Sequence, residues 1–114
     1  MGFDLKSATP VLPVKDVKEA VAFYQEKLGF QVVFNIGFYA GIERGPIHFH
    51  LDGSGWGGGP VSARINVSGV DDIHAEIAPM GIVMKDEPLE NKMGMRQFSV
   101  LDPAGNRITF TQPA

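Results

Sequence analysis

The chain of 114 residues has no cysteine, which excludes disulfide bonds, thiolate metal sites and a cysteine nucleophile. It also has no apolar stretch near the roughly 18 residues that a membrane-spanning helix needs. No charged and then apolar segment opens the chain, so we expect a cytoplasmic protein with no membrane partner. The 10 basic residues are outnumbered by 13 acidic ones, a net charge of −3. This balance argues against a nucleic-acid partner, because such domains carry a basic face.

The overall composition is typical of a globular protein. Hydrophobic residues make up 44% of the chain and charged residues 20%, which separates it from disordered chains. The length leaves room for one domain, which we assign to residues 1–114. The 14 glycines and 8 prolines predict many tight turns between its elements.

Two pairs of similar segments indicate an internal repeat, with units at about 7–52 and 61–113. The segments of the first pair lie 53 residues apart and those of the second pair 61 apart. The pairs are 14–20 with 67–73, and 45–50 with 106–111. Each half has the same predicted order of a strand, a helix and three further strands. The sequence therefore predicts an α+β fold of two βαβββ units.

In the first half, two prolines within residues 8–14 predict a strand at a sheet edge or an exchange point. Asp16 begins a helix with a capping-box spacing, and Gly29 ends it. Strands at 30–35 and 38–43 form a hairpin, and a third strand follows at 47–51.

In the second half, a strand at 61–67 precedes a short helix that Ser68 is expected to cap and that Gly81 ends. Three further strands are predicted, at 82–84, 97–101 and 107–112. Residues 85–95 are polar without alternation, so we expect a loop there. Between the halves, residues 52–60 hold five glycines and the single tryptophan, Trp56, and predict a linker loop.

Alternation along the strands separates an apolar face from a second face that carries many polar residues. The residues of this second face are Thr9, Val11, His48, His50, Ser62, Arg64, Asn66, Thr109 and Thr111. A small domain does not turn so many polar side chains inward unless they line a cavity or meet water. We expect any ligand on this face.

Several motifs give the chain a resemblance to the vicinal oxygen chelate superfamily of glyoxalases, ring-cleaving dioxygenases and antibiotic-binding proteins. The motifs are Ala8–Val14, Ala22–Tyr24, Leu28–Phe30, Arg44-Gly45 and Leu101–Asn106. Within that superfamily, Tyr39–Gly41 and Phe98–Asn106 look most like bleomycin resistance proteins. The resemblance implies paired βαβββ units in a curved mixed sheet. It also implies a homodimer with its binding sites at the interface and a first strand exchanged near Pro10.

Metal-dependent members of the superfamily place four ligands on matching strand positions. The resemblance carries these onto Thr9, His48, Ser62 and Thr109, of which only His48 is a competent ligand for a transition metal. We therefore predict no bound metal and no cofactor. A rearranged site on His48 and His50 stays open, although the sequence shows no carboxylate beside it.

The sequence thus favours a non-enzymatic binder that sequesters a drug-sized, partly planar antibiotic. The predicted ligand-binding residues are Phe38, Tyr39, His48, His50, Trp56, Arg64, Met93, Met95 and Thr109. Trp56 either packs on the core or presents its ring to a ligand or partner. The two methionines form either an adaptable lip or a satellite of the core. Two alternatives remain: a metal-dependent lyase or dioxygenase with an unusual ligand set, and a structural dimer with a vestigial cup.

Overall fold

The computed structural model describes residues 2–113, and of residues 86–92 it describes the backbone only. Across this part of the chain, the order of strand, helix and three strands occurs twice. The elements are β1 (Val11–Pro13), α1 (Val17–Lys27), β2 (Gln31–Asn35), β3 (Tyr39–Arg44), β4 (Ile47–Asp52), β5 (Ser62–Asn66), α2 (Val70–Ile77) with a 3-10 turn (Ala78–Met80), β6 (Val83–Lys92), β7 (Met95–Leu101) and β8 (Arg107–Pro113). No helix among these residues is long and apolar enough to cross a membrane.

The strands form two four-stranded mixed sheets with the same topology. The first sheet has the order β1-β4-β3-β2 and the second the order β5-β8-β7-β6. In each sheet the opening strand runs parallel to its neighbour, and the other neighbours are antiparallel. The predicted α+β fold of βαβββ units is confirmed. The proline-bearing β1 lies at a sheet edge, as its missing backbone donors require.

Helix α1 begins and ends where local signals place it. The Asp16 carboxylate accepts hydrogen bonds from the N–H groups of Lys18 and Glu19, at 3.0 and 3.3 Å. Gly29 follows the helix with a φ of 71°, a left-handed conformation that glycine adopts without strain. The stripe facing the sheet is buried and comprises Val17, Ala20, Tyr24 and Leu28.

Helix α2 is capped differently from the sequence prediction. Gly69 occupies the N-cap position with a φ of 85°, and no side chain caps the helix from there. The first free N–H, at Val70, is instead bonded to the side-chain oxygen of Gln112 at 2.6 Å. The expectation that Ser68 caps this helix is therefore wrong, because a residue of β8 takes over that function.

The expected loop at 85–95 is also wrong. Strand β6 extends to Lys92, and β7 begins at Met95 after a two-residue turn. The register of the pair is irregular between Lys85 and Glu90. Strand β6 lies at the edge of its sheet and pairs with β7 through backbone hydrogen bonds, which polar residues form as well as apolar ones.

The two parallel strand pairs fix the register of the internal repeat. Val11 pairs with His50 in the first sheet, and Arg64 pairs with Thr109 in the second. Val11 and Arg64 lie 53 residues apart, the spacing of the first repeated segments. His50, not His48, therefore corresponds to Thr109, and the predicted equivalence between the last strands was wrong by two residues.

A buried polar cluster joins the two halves. The Tyr24 hydroxyl of α1 donates to the Asp102 carboxylate at 2.8 Å. The side-chain amide of Asn106 donates to the same carboxylate oxygen at 2.9 Å and to the Pro13 carbonyl at 2.8 Å. Tyr24 and Asn106 are fully buried. The cluster thus holds the turn between β7 and β8 against the first half of the chain.

Candidate ligand-binding site

The first sheet presents polar side chains on the face opposite its core. On β3 and β4, Gly41 lies across from His50, and Glu43 lies across from His48. The alternating neighbours Ile42 and Phe49 are buried in the core. Both histidines therefore lie on one face, as the alternation predicted.

An aromatic cluster surrounds His50. Its Nδ1 atom lies 2.9 Å from the Tyr39 hydroxyl. The Phe34 and Tyr39 rings meet the imidazole edge to face at 5.3 and 5.2 Å. Gly41 leaves the room for this arrangement, since a Cβ there would overlap the Phe34 ring. These contacts hold the His50 imidazole in one orientation.

The sequence offered Phe34, like Phe38 and Tyr39, either as aromatic surface of the first hairpin or as ordinary core, and the predicted site residues did not include it. Strand β2 has a register irregularity between Val32 and Phe34, and Phe34 pairs with Gly41. The irregularity changes which side chains of β2 share a face, so alternation alone did not identify Phe34. The signal available in the sequence was the glycine across from it, at a position where strands rarely have one.

His48 has an acidic neighbour. Its Nδ1 lies 3.4 Å from the Glu43 carboxylate, and the His48 side chain is 52% exposed. The expectation that no carboxylate accompanies the histidines is therefore wrong. Even so, the described residues contain no group of three histidine or carboxylate side chains placed to hold a metal ion.

The second sheet carries a hydrogen-bonded polar face. The Arg64 guanidinium donates to the side-chain oxygens of Gln97 and Thr111 at 3.0 and 3.3 Å, so its hydrogen bonds go to neutral acceptors. The Thr109 hydroxyl is buried and lies 2.7 Å from the Ser99 hydroxyl. Of these predicted ligand residues, Arg64 is exposed and Thr109 is covered.

Trp56 presents its ring outward, with 90% of the residue exposed. The alternative that Trp56 packs on the core is therefore wrong. A backbone hydrogen bond of 2.8 Å from Gly53 to Phe38 joins the glycine-rich loop to the turn between β2 and β3. Phe38 is exposed as well, so two exposed aromatic residues belong to neighbouring loops.

The predicted methionines lie on the hairpin of β6 and β7. Met93 occupies the turn with a φ of 51° and is fully exposed at 100%. Met95 opens β7 and is half-buried. Met93 therefore presents an exposed apolar side chain at the hairpin tip, as a lip would. Met95 is partly covered and partly exposed.

Cavities lie beside these faces. A cavity of about 510 Å³ adjoins the glycine-rich loop near Pro13 and Lys15. A cavity of about 140 Å³ brings the predicted residues His48 and Arg64 together, next to Pro10. The aromatic cluster around His50 lies on an open face of the single chain.

Comparisons with known proteins agree with this architecture. The family model described as Glyoxalase/Bleomycin resistance protein/Dioxygenase superfamily matches residues 6–110. A bleomycin resistance protein of Geobacillus stearothermophilus is 32% identical over 123 residues, which cover 90% of this chain and 93% of the relative.

Solved structures show the same fold. The bleomycin-binding protein of bleomycin-producing Streptomyces verticillus, complexed with copper(II)-bleomycin, has a TM-score of 0.83 and 31% identity, covering 98% of this chain and 99% of its own. The bleomycin resistance determinant encoded on transposon Tn5 has a TM-score of 0.77 at 22% identity, covering 96% and 98%. The resemblance inferred from the sequence motifs is confirmed. The chain belongs to the glyoxalase/bleomycin resistance protein/dioxygenase superfamily.

Proposed function

We propose that this protein binds and sequesters bleomycin or a similar planar antibiotic, without chemistry, and so confers resistance. One observation carries the proposal: the Phe34, Tyr39 and His50 cluster lies open on a polar face. This face belongs to a chain that is 32% identical to bleomycin resistance proteins over 90% of its length. Aromatic rings beside a few fixed polar groups suit a drug-sized heteroaromatic ligand.

The proposed contacts divide by chemistry. The flat and apolar parts of the ligand would pack against aromatic and methionine side chains of the protein. These are Phe34, Phe38, Tyr39, Trp56, Met93 and Met95. Hydrogen bonds would orient it through His48, His50 and Arg64, whose ring nitrogens and guanidinium lie on the polar faces. The buried hydroxyl of Thr109 would support this surface through Ser99.

A second copy of the chain completes the site in this proposal. The polar face of one chain is open, and drug-sized ligands are usually enclosed over most of their surface. Residues 2–10 form no strand in their own chain and carry the exposed side chains of Phe3 and Leu5. We propose that this segment is exchanged near Pro10 in a homodimer, and that the dimer acts in the cytoplasm.

A titration of metal-free bleomycin, followed by Trp56 fluorescence, tests the proposed function. Trp56 is the only tryptophan, so the signal comes from one place in the fold. We expect saturable quenching at micromolar or lower drug concentration, with one drug molecule per chain. No quenching together with no heat in a calorimetric titration would exclude bleomycin as the ligand.

Calorimetric measurement of drug affinity in two variants tests whether Trp56 belongs to the binding site. Trp56→Ala removes an exposed ring and should weaken binding about tenfold or more, as loss of an aromatic contact does. Met80→Ala is the matched control, since Met80 is an exposed apolar residue on the 3-10 turn, outside the site. Equal affinities of the two variants would contradict the role of Trp56.

A further inference from the structure

The orientation of His50 leaves one ring nitrogen for a ligand. Its Nδ1 is engaged by the Tyr39 hydroxyl at 2.9 Å, and its ring is packed at right angles to Phe34. Among the described residues, none forms a hydrogen bond with the Nε2 atom, and this nitrogen is not sealed in the core. The face therefore offers a single imidazole nitrogen whose direction is fixed in advance by its neighbours.

One fixed imidazole suits a ligand whose metal ion is already held in a chelate. A free divalent ion needs three or four protein ligands, and no such group exists among the described residues. A metal ion that arrives inside a chelate brings most of its ligands with it and needs only one more donor. Imidazole is a preferred donor for copper(II), whose tetragonal complexes keep a weakly held axial position.

His50 is better prepared for this role than His48. The His48 side chain is 52% exposed, and its Nδ1 lies 3.4 Å from the Glu43 carboxylate. His50 is half-buried and held by Tyr39 and Phe34 on two sides. A donor whose rotamer is already fixed loses less conformational entropy when it binds.

We propose that His50 Nε2 ligates the metal ion of a metal-loaded drug, so that the preferred ligand is a chelate such as copper(II)-bleomycin. This rests on the proposed function. The Nε2 lone pair forms the new bond to copper, and a weakly held water leaves the axial position without any change of oxidation state. The ring proton stays on Nδ1 and is donated to the Tyr39 oxygen, which makes Tyr39 a positioning residue.

Electron–nuclear double resonance on protein with ¹⁵N-labelled histidine and unlabelled copper(II)-bleomycin tests the bond directly. Nitrogen-15 coupling to copper can arise only from the protein, because the drug carries nitrogen-14. We expect this coupling in the wild type, its loss in His50→Gln and its retention in His74→Gln, the control at a histidine of helix α2 outside the proposed site. Coupling that is absent from the wild type, or that survives in His50→Gln, overturns the proposal.

Calorimetry with both forms of the drug separates this proposal from the proposed function. We expect copper(II)-bleomycin to bind at least about tenfold more tightly than metal-free bleomycin, because loss of even an outer-shell partner of a metal ligand lowers metal affinity by roughly 10–100-fold. His50→Gln should abolish that difference, and Tyr39→Phe should reduce it. Equal binding of both drug forms overturns the metal bond while the proposed function stands. Binding of neither form overturns both.

Discussion

Asp102 is a buried carboxylate whose two oxygens accept hydrogen bonds from both halves of the chain. One oxygen accepts from the backbone N–H groups of Ala104 and Asn106, at 2.9 and 2.8 Å. The other accepts from the Asn106 amide and the Tyr24 hydroxyl, at 2.9 and 2.8 Å. Burial removes the hydration shell of a carboxylate. The interior tolerates Asp102 because these four hydrogen-bond donors replace the water molecules.

The same contacts affect Tyr24. Burial raises the pKa of the Tyr24 phenol well above its usual range, and the negative charge and hydrogen bond of Asp102 raise it further. The phenol therefore keeps its proton in the folded state at pH values where it loses it in the unfolded chain. Its contribution to stability is complete below the unfolded pKa of about 10 and declines as the pH rises above it.

We predict that Tyr24→Phe lowers the free energy of unfolding at pH 7 by about 1–3 kcal/mol, because Asp102 loses a buried donor. Between pH 9 and 11 the wild type should lose more stability than the variant, which lacks the titrating phenol. Urea unfolding at pH 7, 9 and 11 measures both effects. Parallel losses in the two proteins would contradict the assignment, since the other titrating groups are common to both.

At the scale of the element, the hairpin of β6 and β7 contains a backbone conformation that its sequence disfavours. Met93 and Gly94 have φ values of 51° and 78° and lie between the paired residues Lys92 and Met95. Such two-residue turns favour asparagine at the first position, whereas a methionine there is strained.

We predict that Met93→Asn raises the free energy of unfolding by about 1 kcal/mol, because asparagine adopts the left-handed conformation more easily. If Met93 contacts the drug as proposed, the same change should weaken binding, so stability and affinity move in opposite directions. Denaturant unfolding and calorimetry measure the two quantities. Met80→Asn is the control: Met80 is an exposed methionine on the 3-10 turn, and we expect no gain in stability there.

The elements differ in how far the sequence determines them. Helix α1 was predictable because its signals are local: Asp16 lies within reach of the first N–H groups, and Gly29 follows the last turn. The cap of α2 was not predictable, because its partner Gln112 lies on a strand 42 residues away. Strand β6 was missed because its pairing with β7 rests on backbone hydrogen bonds, which polar residues form as well as apolar ones.

At the scale of the whole molecule, duplication made the topology predictable, because each half repeats the same order of elements. The site depends on finer features that the order does not determine. The equivalence of His50 with Thr109 follows from the parallel pairings of β1 and β5, and the sequence alignment missed it by two residues. The contact of Phe34 with His50 depends on an irregularity in β2. Register and irregularities arise from long-range packing, so local patterns do not reveal them.

The N-terminal segment leads to the last prediction, on assembly. Phe3 and Leu5 are 76% and 91% exposed and alternate with Asp4 and Lys6, a strand pattern without a partner in its own chain. If the segment pairs with a second copy, sedimentation equilibrium should give twice the chain mass of 12.3 kDa. The double variant Phe3→Ser, Leu5→Ser should then raise the dimer dissociation constant about a hundredfold or more, because each lost side chain contributes about 1.5–3 kcal/mol of burial.

The control for this prediction lies on the same segment. Asp4 and Lys6 form an exposed ion pair at 3.6 Å, and surface pairs of this kind contribute little. The double variant Asp4→Ser, Lys6→Ser should therefore leave the dimer nearly unchanged. A wild type that sediments as a monomer at every concentration would contradict the exchange. A dimer that resists both double variants would mean that other surfaces hold it together, and that the alternating apolar side chains of residues 2–10 do not mark an exchanged strand.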